Sequence, residues 1–199
     1  MAFQPRYSNA GIYLNPKWYS QNPFYNIGWG LPNCTCYAYG RFWELSGLEP
    51  TDLPRWNAED WWNSMPARYT KSQTPIEGAI ACWYGPGDYK GHVAIVEHIY
   101  ANGDILTSNS GYYRPIASYP PDTTNYFWTE VCVRANGYRS TWEVNRGYLL
   151  QGFVYPLQYV DGDPIPDPDD PPPYDPTADV YRGLKVWQMM RRRYKIIVR

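Results

Sequence analysis

Histidine is scarce in this chain: His92 and His98 are the only two in 199 residues, beside four cysteines at 34, 36, 82 and 132. Cys34 and Cys36 stand one residue apart and do not easily bridge each other, and four cysteines are too few for a disulfide-dense scaffold. The same count argues against a structural zinc site, because four ligands cannot be assembled at the usual spacings. A Cys–His nucleophilic pair needs only one residue of each kind and survives this arithmetic. An excess of charge is missing too. With 18 Lys+Arg against 19 Asp+Glu the net charge is −1, which speaks against a dedicated nucleic-acid binder. No stretch approaches about 18 consecutive apolar residues, so no transmembrane helix is expected. The opening Met1-Ala-Phe-Gln-Pro-Arg-Tyr has no apolar core after a basic start, so no secretory leader is expected either. Work outside a cytoplasm would then require a separate releasing agent.

Aromatic side chains, by contrast, make up 18% of the chain, with 21 Tyr and 10 Trp. They fill the rim of a β-rich core, and their polar handles also suit wet, concave, sugar-contacting surfaces. Residues 1–30 read as an irregular arm rich in Asn, Tyr, Gly and Pro. From Thr35 to Leu45 a Pro-free run spaces Ala38, Phe42 and Leu45 along one helical face, with Asn33-Cys34 at its N-terminus and Gly40 allowing close packing. A second helix is expected over 57–65, capped by Asn57 and stopped by Pro66. Strands are expected at 78–84, 92–100, 104–110, 127–134 and 149–155, the second and third joined by an Asn102-Gly103 turn. Helices followed by antiparallel strands make an α+β layout. Residues 1–160 form the expected domain. The segment 161–179 holds seven Asp and seven Pro and reads as a stiff acidic linker, and 180–199 is a basic tail too short to be a domain.

Cysteine hydrolases need a thiolate, an imidazole that takes and returns its proton, and a third group that orients the imidazole. Cys34 lies where a helix N-terminus would favour its negative form, and its own backbone N–H is a natural oxyanion donor. His92 opens a strand directly after Gly91, whose missing side chain is expected to leave room beside the imidazole. Glu97, five residues along the same strand, points to the opposite face by alternation and is set aside. Asn109 lies on the neighbouring strand. A two-residue turn at Asn102-Gly103 puts it opposite Val96, on His92's face but four residues short of it. A bulge, a wider loop or strong coiling must close that gap. Cys82 and Cys132 read as core residues, His98 as a structural residue far along the His92 face, and Trp61-Trp62 as packing.

Asn33-Cys34-Thr35-Cys36-Tyr37-Ala38-Tyr39-Gly40-Arg41 resembles the nucleophile segment of the CHAP family (cysteine, histidine-dependent amidohydrolases/peptidases), whose motif is Cys-Thr, an aromatic, Tyr, then Arg. Asn57-Ala58-Glu59-Asp60-Trp61 and Thr74-Pro75-Ile76-Glu77-Gly78-Ala79-Ile80 resemble intermediate segments of that family. Gly91-His92-Val93-Ala94-Ile95-Val96-Glu97 resembles its histidine strand, and Thr107-Ser108-Asn109-Ser110 its third-residue strand. The resemblance runs in order from about residue 30 to 157. It implies a papain-like fold with Cys34 as nucleophile, His92 as general base and Asn109 in the third position, where members carry Glu, Asp or Asn. Cys36 departs from the pattern, standing where an aromatic is usual, and reads as a small buried residue. Some phage relatives bind calcium through an Asp-rich loop before the cysteine. Residues 22–32 contain no Asp or Glu, so no metal and no cofactor are expected.

The resemblance further implies hydrolysis of a peptidoglycan amide through a thioester, either at N-acetylmuramoyl-L-alanine or within a stem peptide or cross-bridge. The expected setting is a phage lysin. One form is an endolysin held in the host cytoplasm until a holin releases it, and the other is a virion-associated hydrolase docked on tail proteins through 180–199. That tail reads equally as a solubilising terminus. The competing reading is a non-catalytic virion or wall-binding module that keeps the fold; intact Cys34, His92 and Asn109 weigh against it. Nucleic acid is not an expected partner.

Overall fold

The computed structural model describes residues 3–8, 12, 15–111 and 127–156. Within the arm expected to be irregular, two short helical turns occur: a 3₁₀ turn at Pro16–Trp18 and α1 (Pro23–Asn26). Each begins with Asn-Pro. The side chains of Asn15 and Asn22 cap the turns, and the following proline supplies a helical φ where no N–H is needed. α2 (Cys34–Ser46) starts at Asn33, whose Oδ1 accepts the Cys36 N–H at 2.8 Å and the Thr35 hydroxyl at 2.6 Å. It ends on Gly47 in the left-handed conformation. Gly40 lets α2 close onto Trp18, where an added Cβ would stand 2.5 Å from the indole. α3 (Ala58–Ser64) forms where expected, but the Asn57 side chain makes no capping bond; the Glu59 N–H donates to Lys90 O at 2.9 Å instead.

The strands are β1 (Tyr69–Ser72), β2 (Ile80–Tyr84), β3 (His92–Ile99), β4 (Ile105–Asn109), β5 (Trp128–Cys132) and β6 (Leu149–Pro156). They form one antiparallel sheet in the order β1-β6-β2-β3-β4-β5. The α+β class read from the sequence is the one found. The four-residue β1 was not expected, nor was α4 (Thr141–Asn145), which Ser140 and Glu143 start with a capping box.

The turn between β3 and β4 differs from the expected two-residue hairpin. Tyr100 N–H donates to Asp104 O at 2.9 Å, which leaves Ala101-Asn102-Gly103 as a three-residue loop with Gly103 at φ 83°. The register then shifts between Val96 and His98, leaving Glu97 as an extra residue in a bulge. Loop and bulge each move the pairing by one. Ser108 pairs with Ile95, and continuing that register sets Asn109 across from Ala94, a diagonal neighbour of His92. The bulge also corrects the placing of His98 on the His92 face. Beyond it Ile99 joins Ala94 and Val96 on that side, while His98 Nδ1 meets Glu77 Oε1 at 3.0 Å.

One face of the sheet, with Ile80, Cys82, Val93, Ile95 and Val154, packs under Cys36, Tyr37, Phe42 and Trp61 of the helices. The other, with Ala81, Ala94, Val96 and Phe153, is covered by Tyr138, Trp142 and Tyr148. Cys36, Cys82 and Cys132 are core residues as expected, and Trp61 is fully buried. Between α2 and β3, Glu97 takes Arg41 Nε at 2.9 Å and Nη2 at 2.8 Å, the Arg6 N–H at 2.8 Å and the Ser108 hydroxyl at 2.6 Å. Arg41 continues to Glu44 at 2.7 Å. The expected domain end at 160, the linker 161–179 and the tail 180–199 lie outside the described residues, as does the loop 112–126.

Candidate active site

Cys34 is the first residue of α2. Packing brings the start of this helix to the start of β3, with the backbone N–H groups of Val93, Thr35 and Cys34 itself near the sulfur. Burial pushes the thiol up to about 11, and these three N–H groups oppose the rise. Val93 is the next residue in the chain after His92.

His92 is 1% exposed, and its Nε2 lies 2.9 Å from Asn109 Oδ1. The orientation of the Asn109 amide is fixed on its other side. Its Nδ2 donates to Thr107 O at 3.1 Å and Thr107 Oγ1 at 3.0 Å, which leaves Oδ1 for the imidazole. An amide oxygen only accepts, so Nε2 carries the proton and Nδ1 keeps a lone pair. Burial lowers His92 to about 4; Asn109 pulls it up, while the Arg146 charge lowers it further. Both partners are therefore neutral at rest near neutral pH.

The imidazole sits in an aromatic box. Trp142 meets it edge-on at 4.7 Å between centroids, Trp128 and Tyr148 are stacked at 6.1 and 6.4 Å, and Trp83 lies at 5.8 Å. Sequence reasoning missed this box; the Ser140-x-x-Glu143 signature of α4 was the signal that could have placed Trp142. The role expected of Gly91 is also corrected. The space a side chain would fill is already occupied: a Cβ would lie 2.5 Å from Glu59 N and 2.6 Å from Trp83 O. With φ at 73°, Gly91 serves a close approach of α3 to β3 rather than room for the ring.

Glu97 faces α2 and does not reach His92, in keeping with its being set aside. All four cysteines are free thiols. Among the described residues no cluster of three His, Cys, Asp or Glu side chains could hold a metal ion. Among the same residues no helix is long and apolar enough to cross a membrane.

Residues 22–111 match the family model described as CHAP domain. N-acetylmuramoyl-L-alanine amidase sle1 from two strains of Staphylococcus epidermidis is 33% identical over 118 residues, covering 55% of this chain and 34% of each relative. The chain thus spans about a third of the length of the curated relatives it matches. A solved N-acetylmuramoyl-L-alanine amidase from Staphylococcus aureus is similar at 21% identity and a TM-score of 0.42, over 67% of this chain and 34% of that one. The segment that matches the CHAP domain model holds α2, β3 and β4 with Cys34, His92 and Asn109.

Proposed function

We propose that the protein is a peptidoglycan hydrolase that cleaves an amide bond, with Cys34 as nucleophile, His92 as general base and acid, and Asn109 as the residue orienting His92. The observation that carries this reading is the combination of a helix-terminal thiol beside Val93 with an imidazole held by Nε2 on Asn109. Nδ1 of His92 is then the free base. The thiol proton passes to Nδ1 as sulfur attacks the amide carbon, because a thiol near 11 and an imidazole near 4 do not exchange it beforehand. The oxygen of the tetrahedral intermediate takes the Cys34 N–H. Breakdown expels the amine, which leaves with the proton from Nδ1 and gives a thioester. Water attacks that thioester while its proton goes to Nδ1, and the proton returns to sulfur as the acid departs. The aromatic box keeps water from the Nε2–Asn109 bond.

The relatives' name, N-acetylmuramoyl-L-alanine amidase, favours the bond between N-acetylmuramic acid and L-alanine over stem-peptide and cross-bridge bonds. The setting proposed is a phage lysin, as endolysin or virion-borne enzyme. The acidic, proline-rich 161–179 followed by the basic 180–199 supports a catalytic unit tethered to an anchoring segment.

Purified staphylococcal walls incubated with the wild type and with Cys34→Ala, with fragments identified by mass spectrometry, test this reading. The expected result is new L-alanine amino termini with the wild type only. Release of other termini would move the assignment to an endopeptidase. No release from several wall types, or equal release by Cys34→Ala, would overturn the enzymatic reading and promote a non-catalytic module.

A further inference from the structure

Behind Trp142 a single hydroxyl stands between two carboxyl groups. Ser140 Oγ lies 2.7 Å from Glu130 Oε2 and in hydrogen-bond contact with Glu143 Oε2. That same Glu143 oxygen accepts the Ser140 N–H at 2.8 Å, while Ser140 Oγ accepts the Trp142 N–H at 3.1 Å. One hydroxyl carries one hydrogen, so it can satisfy one of the two carboxylates. The other would present an oxygen lone pair to an oxygen lone pair unless it carries a proton of its own.

Glu143 is fully buried, and the largest influences on it are that burial and the Glu130 charge. Oε1 of both Glu130 and Glu143 is buried without a hydrogen-bond partner among the described residues. The titratable and charged groups facing the pair come from each element around it. Cys132 on β5 is held well above the usual thiol range by burial and by both glutamates. Tyr148 follows α4, Arg139 precedes it and donates to Tyr148 O at 3.1 Å, and Arg146 at its end lies 4.4 Å above the Trp142 ring. His92 on β3 meets the opposite side of this layer through Trp142.

We propose that Glu130 and Glu143 hold one proton between them across Ser140, and that this proton keeps α4 seated so that Trp142 stays against His92. Its consequence for turnover rests on the hydrolase reading above; the shared proton itself does not. Burial and the Glu130 charge push Glu143 up to about 8, in agreement with the geometry. Loss of the proton leaves two charged carboxylates on one hydroxyl, weakens the cap of α4 and frees the indole. Glu130 and Glu143 are positioning residues, acting on His92 through Trp142.

Proton release on unfolding, measured by calorimetry in buffers of different ionisation enthalpy, tests the proposal. At pH 7 the wild type is expected to release about one proton more per molecule unfolded than Glu130→Gln. In that variant Glu143 ionises in the folded state, with both Ser140 donors to itself. If Glu130→Gln does not fold, Glu143→Gln carries the same expectation, since its amide oxygen still accepts the Ser140 N–H. Tryptophan emission of the wild type should change between pH 7 and 9 and stay flat in the variant. The alkaline decline of kcat/KM should move up by about one pH unit or more. Equal proton release by the wild type and a folded variant would overturn the proposal. Normal proton release with no wall hydrolysis would instead sink the proposed function and leave the shared proton standing.

Discussion

His92 and Glu97 lie five residues apart on β3, both buried, and the chain solves the same electrostatic problem at each in opposite ways. Glu97 is saturated: Arg41, Arg6 and Ser108 give it four donors, two on each oxygen. His92 has one side-chain partner, Asn109, and stays neutral inside four aromatic rings. A saturated group fixes geometry but has no valence left for chemistry. A neutral group with one ring nitrogen unengaged by Asn109 can still accept a proton. Alternation along β3 points Glu97 to α2 with Val93 and Ile95, while the bulge shifts the site end toward its register with Asn109.

The widest contrast is in turnover. Cys34→Ala and His92→Ala should each lower kcat by about 10⁴-fold or more, with thermal unfolding nearly unchanged for Cys34→Ala. Cys36→Ser is the control, because its hydroxyl can keep the contact of Cys36 Sγ with Trp18 O. A folded Cys36→Ser without wall-lytic activity would show that the nucleophile has been misassigned. Glu97→Ala is expected to behave the other way, since it leaves Arg41 buried without its main partner. Stability should drop by about 3–5 kcal/mol in denaturant titration, while activity per folded molecule holds. A loss of activity in excess of the unfolded fraction would break the comparison.

The residues of the candidate site were more legible than their geometry. Cys34, Asn33 and Thr35 were readable because a helix start is a local signal. His92 and Asn109 were readable only as candidates, for the distance between them depends on a three-residue loop and a one-residue bulge that leave no clear mark in the sequence. Asn102-Gly103 even pointed to the wrong turn, since Asn-Gly serves a two-residue hairpin as well as it serves this loop. The aromatic box was hidden for another reason. Trp83, Trp128, Trp142 and Tyr148 come from separate elements, and only the sheet order brings them around one ring. Gly91 was misread because a close approach of two backbones is a tertiary fact.

pH sharpens the contrast at an intermediate scale. The fold lowers His92 from 6.5 to about 4, so between those values the unfolded chain binds the extra proton and stability rises with pH. It raises Glu143 from 4.5 to about 8, so there the folded chain binds the extra proton and stability falls as pH rises. From about 4.5 to 6.5 the two slopes offset each other; above 6.5 only the loss remains. The wild type should show a plateau followed by an alkaline decline. In His92→Gln the offset disappears, and stability should fall from about pH 4.5 upward, a difference of about 3 kcal/mol across the His92 window. Unfolding curves taken at half-unit pH steps check this, and identical profiles for the two proteins would mean that His92 titrates in the fold as it does in water.

The smallest expected effect is at Asn33, where the fold and the chemistry share one side chain. Its Oδ1 caps α2 through the Cys36 N–H and holds the Thr35 hydroxyl, and Cys34 lies between them. Asn33→Ala should cost about 1 kcal/mol of stability, as a lost N-cap does elsewhere. If the cap serves only the helix, kcat/KM per folded molecule should fall by less than about tenfold, the equivalent of 1.4 kcal/mol. If it also sets the direction of the sulfur toward His92, the fall should be much larger and Asn33→Asp should recover most of it, because a carboxylate oxygen accepts the same two bonds. Thermal unfolding and wall hydrolysis measured on the three proteins separate these outcomes. A deep loss in Asn33→Ala, restored by Asn33→Asp, would place the capping residue on the chemical side of the division that His92 and Glu97 mark on β3.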